Sequence, residues 1–436
     1  MQVKIHKSKD EARSAATDKT VTAIIERALA RGATDIHIEP RSRNIVVRFR
    51  IDGWLQEVTK LPLVALEDIV LNIKNRSGLD TEQQSAPQSG TFNFDSDQIK
   101  TSIHVASMPT VNGEKIAMRL TRQLSEPATL GALGFWGDAL TRLETAVAEP
   151  HGLVIAVSLH RTGANMSLLG IVHLLNNPAL NIATLEDPIE HQVAGVNQTQ
   201  INAAAGVTFH TGLQALLHQD PNVVMVSDLH EEDTVQTAVQ AALSGRLIIG
   251  GIHASDAAHG VVQLLNMHVE PFLIATALHL AIGQRYVRRL CPSCAIAFTP
   301  DEVTKKDLRM LLKSSGVTSV KTLHELEHGA IKHELGADIA KHEANTTEKT
   351  VKRLYRANPE GCPHCNFSGF NGRVGICEVL NISDAMKKLI ATNATTDDIR
   401  QLAIKEGMVP LALDGLVKAL RGLTTIEEIL PLGLMA

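Results

Sequence analysis

The chain has 436 residues, of which 44% are hydrophobic and 20% charged, with a formal net charge of −5. This composition is typical of a soluble globular protein with two to four domains. The negative charge and an aromatic content of only 3% argue against direct nucleic-acid binding. The sequence shows no apolar run of membrane-spanning length and no signal peptide, so we expect a cytoplasmic protein.

The first predicted unit is a compact α+β domain at residues 1–120. Residues 18–31 have apolar residues on one helical face, with Asp18 as a candidate N-cap and Gly32 as the stop. A second helix is expected at residues 69–77. Alternating or β-branched segments predict strands, with a hairpin turn at Asp52-Gly53. The predicted strands lie at 33–40, 45–51, 54–58, 91–94, 99–106 and 115–120.

Residues 121–140 are predicted to be a linker, and residues 141–290 a domain in which strands alternate with helices. The apolar runs at 153–157, 181–185, 223–226 and 247–251 are the expected strands. This alternation predicts a doubly wound parallel sheet that binds ligands at the carboxyl ends of its strands. Residues 381–436 are predicted to be helical, with caps at 395–397 and 424–425.

The loop after the strand at 153–157 has the setting of a phosphate-binding loop, G-x-x-x-x-G-K-[ST]. Such a loop needs glycines for close backbone approach, a Lys for phosphate charge and a hydroxyl for Mg²⁺. Here the corresponding residues are Ser158, Gly163, Ala164 and Asn165. The alternative is an ordinary strand-to-helix loop, because one glycine in this setting is a weak signal.

Residues 291–380 contain two C-x-x-C pairs, Cys291/Cys294 and Cys362/Cys365. They predict a structural Zn²⁺ site, since four thiolates complete a tetrahedron; unmetallated thiols are the alternative. Cys377 lies outside both pairs and is expected to be a buried strand residue. The charged stretch at 301–353 is predicted to be a solvent-exposed loop. Histidines at 324–342 are expected at the surface, with a second metal site there as a weaker alternative.

Motifs along nearly the whole chain resemble the secretion ATPases of type II secretion and type IV pilus assembly, the GspE/PilB type. The matching segments are 33–40, 48–53, 87–90, 108–115, 186–190, 219–226, 252–257, 291–294, 362–365, 372–375, 402–408 and 422–428. The resemblance implies a domain like the family's second N-terminal domain, followed by a RecA-like P-loop NTPase core. A tetracysteine zinc region and C-terminal helices complete the expected fold.

The resemblance also assigns site residues. Catalytic roles fall on Glu186, Asp228 and His253. Nucleotide-binding positions are Ser158, Arg161, Thr162, Gly163, Ala164 and Asn165, with Arg119 contributed by the N-terminal domain. The implied assembly is a homo- or hetero-hexamer, peripheral to the inner membrane through a platform protein of a pilus or secretion system. An active paralogue is a candidate partner in a mixed ring. We expect no separate platform-docking domain before residue 1.

Departures from the family pattern predict impaired or lost ATP hydrolysis. Ala164 replaces the phosphate-binding Lys and Asn165 the Ser/Thr, while Asp228 is one methylene shorter than the family Glu. Three further positions that carry an arginine in the family are occupied here by His104, Gln214 and His218. Weak or absent binding of ATP and Mg²⁺ is therefore expected. The alternatives are an active motor with an unusual loop and a zinc-dependent adaptor outside the motor system.

Overall fold

The computed structural model describes residues 2–96, 99–122, 129–159, 161–317, 319–340 and 343–433. Side chains at 2–13, 96, 99–100, 122 and 161–163 lie outside this description. The chain divides into two compact units, Met1–Ser125 and Glu126–Ala436. Over the described ranges, no helix is both long enough and apolar enough to span a bilayer.

The N-terminal unit is an antiparallel six-stranded sheet in the order β3-β2-β1-β6-β5-β4, packed against two helices. The helices are α1 (Gln2–Ala30) and α2 (Leu66–Ser77). The strands are β1 (Ala33–Pro40), β2 (Asn44–Ile51), β3 (Trp54–Pro62), β4 (Gln88–Ser96), β5 (Ile99–Thr110) and β6 (Gly113–Arg122). Its core joins apolar residues of both helices to one face of the sheet, such as Ile25, Ile73 and Ile38.

In this unit the structure confirms the predicted helix stop and hairpin turn, but not the predicted N-cap. Gly32 ends α1 with a φ of 70°, and Asp52 and Gly53 have φ of 49° and 90°, as the hairpin turn requires. The predicted capping role of Asp18 is wrong, because α1 already begins at Gln2. Asp18 instead accepts hydrogen bonds from Asn72 and Arg76 of α2, which lower the pKa of its carboxyl below the usual value.

The C-terminal unit contains a seven-stranded sheet in the order β15-β12-β7-β11-β10-β8-β9. All neighbouring strands are parallel except β15, which runs antiparallel to β12. The strands are β7 (Gly152–Val157), β8 (Ile182–Glu186), β9 (Asn197–Gln200), β10 (Val223–Val226), β11 (Leu247–Ile252), β12 (Leu278–Leu290) and β15 (Phe370–Asn381). A separate antiparallel pair is formed by β13 (Ile296–Phe298) and β14 (Leu354–Arg356).

Helices cover both faces of this sheet. Leu153 and Ile155 of β7 belong to one buried cluster, whereas Val154 and Ala156 belong to another on the opposite face. The helices are α3 (Gly137–Ala148), α4 (Arg161–Leu175), α5 (Phe209–Leu217), α6 (Glu232–Leu243), α7 (Ala257–Leu265), α8 (Pro271–Ala277), α12 (Asp384–Ala391) and α13 (Thr396–Lys405). The predicted α/β fold with a parallel-sheet core is confirmed. Thr395 caps α13 as predicted, in a capping box with Asp398.

The predicted exposed loop at 301–353 is instead largely helical and contributes to a core. It contains α9 (Glu302–Ser314), α10 (Val320–Lys332) and α11 (Ala337–Ala340). Leu311 of α9 and Leu323 of α10 are fully buried against the C-terminal helices α14 (Leu411–Leu420) and α15 (Ile426–Gly433). Its charged residues lie on amphipathic helices, which the composition alone did not reveal.

A buried ammonium joins three segments of the C-terminal unit. Lys418 of α14 is fully buried, and its Nζ donates to Gly134 O at 2.7 Å, Gly375 O at 2.7 Å and Asp414 Oδ2 at 2.6 Å. An ammonium has three N–H donors, so every one of them has an acceptor. The segment before α3, the edge strand β15 and helix α14 are therefore tied at one point.

We predict that Lys418→Met lowers the free energy of unfolding by about 3–5 kcal/mol, because it leaves the buried Asp414 carboxylate without its counter-charge. Urea unfolding followed by tryptophan fluorescence measures this, since the Trp136 indole N–H donates to Asp414 Oδ1 at 2.7 Å. Lys405→Met, at an exposed position of α13, is the matched control. Equal stability of the two variants would contradict the prediction.

Candidate functional site

Four predicted site residues lie at the carboxyl ends of four neighbouring strands of the parallel sheet. Val226 pairs with Leu185 on one side and Gly250 on the other, and Val157 pairs with Ile252. The residues that follow these strand ends include Ser158, Asp228 and His253, while Glu186 is the last residue of β8. The parallel register thus brings all four to the carboxyl edge, where such sheets bind ligands.

Glycine allows the strands to approach closely at this edge. The amide of Leu229 donates to Gly251 O at 2.7 Å. A Cβ on Gly251 would lie only 2.1 Å from the carbonyl oxygen of Ser227, so any side chain there would push the two segments apart. The backbone around Asp228 is therefore positioned by a contact that only glycine permits.

Glu186 is held inside the protein by neutral donors. Its side chain is almost completely buried, and its Oε1 accepts hydrogen bonds from Thr184 Oγ1 at 2.6 Å and Gln198 Nε2 at 2.8 Å. Burial raises the pKa of the Glu186 carboxyl above its usual value, and the hydrogen bonds from Thr184 and Gln198 act in the opposite direction. The carboxyl group is thus oriented by its own domain rather than by a cationic side chain.

Asp228 lies between two imidazoles. Its buried Oδ2 is 3.4 Å from Nδ1 of His230 and 3.5 Å from Nε2 of His253. Both histidine side chains are about half exposed, so the cluster opens towards solvent. The sequence interpretation included His253 but missed His230. Its position two residues after Asp228, just past the end of β10, was the available signal.

At positions 164 and 165, the loop lacks the Lys and the Ser/Thr of the phosphate-loop motif. The buried Ser158 extends the sheet, its amide donating to Ile252 O at 3.1 Å. Helix α4 begins at Arg161, but the side chains of Arg161 and Thr162 lie outside the described part of the chain. The methyl group of Ala164 is buried in the core, and the neighbouring Asn165 is also buried. Neither position presents the ammonium or hydroxyl of a phosphate loop.

Arg119 lies in the N-terminal unit, on β6. Its Nε is 3.3 Å from Asp35 Oδ1 in a half-exposed ion pair. His104 is the cross-strand neighbour of Arg119 on β5, and its Nδ1 is 3.0 Å from Thr91 Oγ1. The proposed contribution of Arg119 to nucleotide binding stays a prediction. Gln214, on α5 of the other unit, is exposed.

The two Cys pairs come together in space. The four Sγ atoms all lie within 4.8 Å of one another. Cys291 and Cys362 are 3.7 Å apart, Cys294 and Cys365 3.8 Å, and Cys362 and Cys365 3.7 Å. A tetrahedral Zn²⁺ with Zn–S bonds of about 2.3 Å requires S···S distances of about 3.8 Å. The donor set therefore fits one tetrahedral Zn²⁺.

Backbone amides support this cysteine cluster. The N–H groups of Cys362 and Gly369 each donate to Cys365 Sγ at 3.2 Å. Such contacts favour the thiolate and orient it towards a metal. Four cysteine ligands leave no open position, so Zn²⁺ here would stabilise the fold rather than perform chemistry. Cys377 lies elsewhere, buried on β15 as predicted.

The geometry defines a class of protein: an α/β fold with a parallel-sheet core and a tetracysteine centre in the same unit. The family model described as "Type II/IV secretion system protein" matches residues 10–431. The chain is 34% identical over 415 residues to a type IV pilus assembly ATPase PilB from Thermus thermophilus, covering 95% of this chain and 43% of that protein. It is 32% identical to the type II secretion system ATPase E of Vibrio cholerae, covering 94% and 74%.

Two solved structures share the fold. The Legionella pneumophila ATPase DotB superposes with a TM-score of 0.64 at 15% identity, covering 95% of each chain. The pilus retraction motor PilT with bound ADP superposes with a TM-score of 0.59 at 17% identity, covering 94% of this chain and 96% of that one. The chain belongs to the type II/IV secretion system ATPase family.

We predict that the purified protein retains one tightly bound Zn²⁺, and that Cys362→Ser lowers the retained zinc well below one equivalent. The reason is that a Ser hydroxyl is a poor replacement for a thiolate ligand. Elemental analysis after dialysis measures the zinc. Cys377→Ser is the control and should leave the stoichiometry unchanged; parallel zinc loss in both variants would argue against the tetracysteine site.

Proposed function

We propose that this protein is a ring-forming member of its family with weak or absent ATP hydrolysis, acting as a structural or regulatory subunit. The observation that carries the proposal is the buried methyl group of Ala164 at the position of the phosphate-binding Lys. Since phosphoryl transfer depends mainly on positioned positive charge, the loss of this ammonium affects binding and turnover together.

The expected effect of this loss is large. An ammonium about 4 Å from a phosphate oxygen contributes about 4 kcal/mol at an effective dielectric constant of about 20. That corresponds to roughly a thousandfold in affinity or rate. Asp228 does not compensate, because it is a carboxylate and its Oδ2 already lies beside two imidazoles. The set of side chains that would hold Mg²⁺-ATP is therefore incomplete, because positions 164 and 165 lack the Lys ammonium and the Ser/Thr hydroxyl.

The resemblance to its family supports a location at the cytoplasmic face of the inner membrane. Two of the relatives are named for type IV pilus assembly and type II secretion. We place this chain in the same kind of machinery, in a hexamer of its own copies or mixed with an active paralogue, contacting an inner-membrane platform protein. The tetracysteine centre would hold a structural Zn²⁺ in each subunit.

A second candidate function is an active motor with an altered phosphate loop. It is favoured by Glu186, Asp228 and His253, which still lie together at the carboxyl edge of the sheet. Binding measurements alone do not separate the two candidates, since a subunit can bind nucleotide without hydrolysing it. Turnover is the property that differs.

We predict no release of inorganic phosphate above background from Mg²⁺-ATP, and Mg²⁺-ATP binding by calorimetry weaker than millimolar. The double variant Ala164→Lys/Asn165→Thr should tighten binding by at least tenfold, because it restores the charge and the hydroxyl. Ala391→Lys, at an exposed position of α12, adds the same charge elsewhere and should change nothing.

The wild-type assay decides the proposal whether or not the double variant folds. Phosphate release by the wild-type chain that disappears in Glu186→Gln and in Asp228→Ala would overturn it and establish the active motor. Circular dichroism of the variants shows whether a lysine can be accommodated at the buried position 164.

A further inference from the structure

Helix α10 carries two histidines one helical turn apart. The sequence His324-Glu325-Leu326-Glu327-His328 has the H-E-x-x-H spacing, which places both imidazoles on the same face of a helix. His324 is half-buried and His328 is exposed, so the pair is open to solvent. Nothing in the proposed nucleotide or tetracysteine sites uses these side chains.

The imidazole geometry fits a shared metal ion. Nε2 of His328 is 3.2 Å from Nε2 of His324, and the rings are nearly perpendicular. Metal–nitrogen bonds of about 2.0–2.1 Å in a tetrahedral site place two ligand nitrogens about 3.3–3.4 Å apart. The observed separation is within the tolerance of about 0.2 Å expected for a metal site.

A hydrogen-bond chain selects the tautomer of the His324 imidazole. Thr346 Oγ1 lies within hydrogen-bonding distance of Glu327 Oε2 and is 2.8 Å from His324 Nδ1. The carboxylate can only accept, so the single hydroxyl proton of Thr346 goes to Glu327. The hydroxyl oxygen must then accept from Nδ1–H of His324. That leaves the Nε2 lone pair of His324 directed towards His328, which is how outer-shell partners prepare a histidine ligand.

The same carboxylate anchors the helix. Glu327 is fully buried and accepts from the backbone N–H of Asn345 at 2.7 Å and of Thr346 at 3.0 Å. The Arg421 guanidinium lies 3.8 Å from Glu327 Oε1. Because Glu327 belongs to the same helical turn as the two histidines, these contacts fix the buried side of the turn that presents both imidazoles.

We propose that His324 and His328 together bind one divalent transition-metal ion, of the Zn²⁺, Ni²⁺ or Cu²⁺ class that imidazole prefers. Among the described residues, the cysteine cluster is the only group of three or more potential ligands. Within the described part of the chain, the proposed ion at α10 therefore has two protein ligands, with water available for its remaining positions. Glu325 is exposed and 4.0 Å from Lys321, and the proposal assigns no reaction to it.

The test is a calorimetric titration of the full, zinc-loaded chain with Ni²⁺, with the zinc content measured afterwards to confirm that the tetracysteine site is still filled. We expect one Ni²⁺ per chain. His324→Ala and His328→Ala should each weaken binding by at least tenfold. His268→Ala removes an exposed imidazole elsewhere in the same unit and should have no effect.

Thr346→Val tests the positioning role of the hydroxyl. It should weaken Ni²⁺ binding by about 10–100-fold while both histidine ligands remain, as measured for outer-shell partners in other metal sites. The melting temperature of each variant without Ni²⁺ separates loss of ligand from loss of fold. Undiminished binding in a His324→Ala/His328→Ala variant, or no binding by the wild-type chain at 1 mM Ni²⁺ (roughly the weakest affinity that the assay detects), would overturn the proposal.

Discussion

The ion pair between Lys418 and Asp414 is the interaction on which the C-terminal unit depends most. Taking both charges out of water costs several kcal/mol per ion. Their attraction offsets this cost only when the remaining donors and acceptors are satisfied as well. Here the ammonium uses its three N–H groups, and the carboxylate accepts from Lys418, the Trp136 indole and the Cys377 amide. The bonding also depends on close backbone packing, since a Cβ on Gly375 would lie 1.9 Å from the Leu133 carbonyl oxygen.

A second buried cation follows about one turn later, at the C-cap of the same helix. Arg421 is fully buried, its Nε donating to Leu335 O and its Nη1 to Glu343 O, both at 3.0 Å. Lys418 therefore faces the sheet edge while Arg421 faces the segment between the two Cys pairs. Helix α14 joins the parallel sheet to the helices of that segment. The residues at 301–353 are thus an integral part of the C-terminal unit rather than an appended loop.

The parts of the fold that were predictable are those with short-range signals. Apolar runs at 153–157 and 223–226, the turn at Asp52-Gly53 and the C-x-x-C pairs each carry their structure within a few residues. The contacts that organise the core carry no such short-range signal. Trp136 and Asp414 are 278 residues apart, so no pattern in either neighbourhood indicates their pairing.

The histidines show that even a recognisable local spacing does not determine the role of a side chain. His324 and His328 have a recognisable helical spacing, but their interpretation depends on Thr346, which contacts His324 from a separate segment. His230 is of interest only because its Nδ1 lies 3.4 Å from the carboxylate of Asp228. A charged or polar residue can therefore be noticed in the sequence, while its chemistry is decided by partners that only the fold supplies.

The electrostatics of the sheet edge support a non-hydrolysing role on grounds beyond the missing Lys. Buried carboxylates next to a bound phosphate repel it unless cationic groups face the same space. Glu186 is instead satisfied by the neutral side chains of Thr184 and Gln198, and burial raises the pKa of its carboxyl. Each carboxylate already has partners from its own unit: Glu186 has neutral donors, and Asp228 lies beside two imidazoles. The substitution at Ala164 and the internal partners of the two carboxylates therefore both favour the weak or absent ATP hydrolysis proposed for this chain.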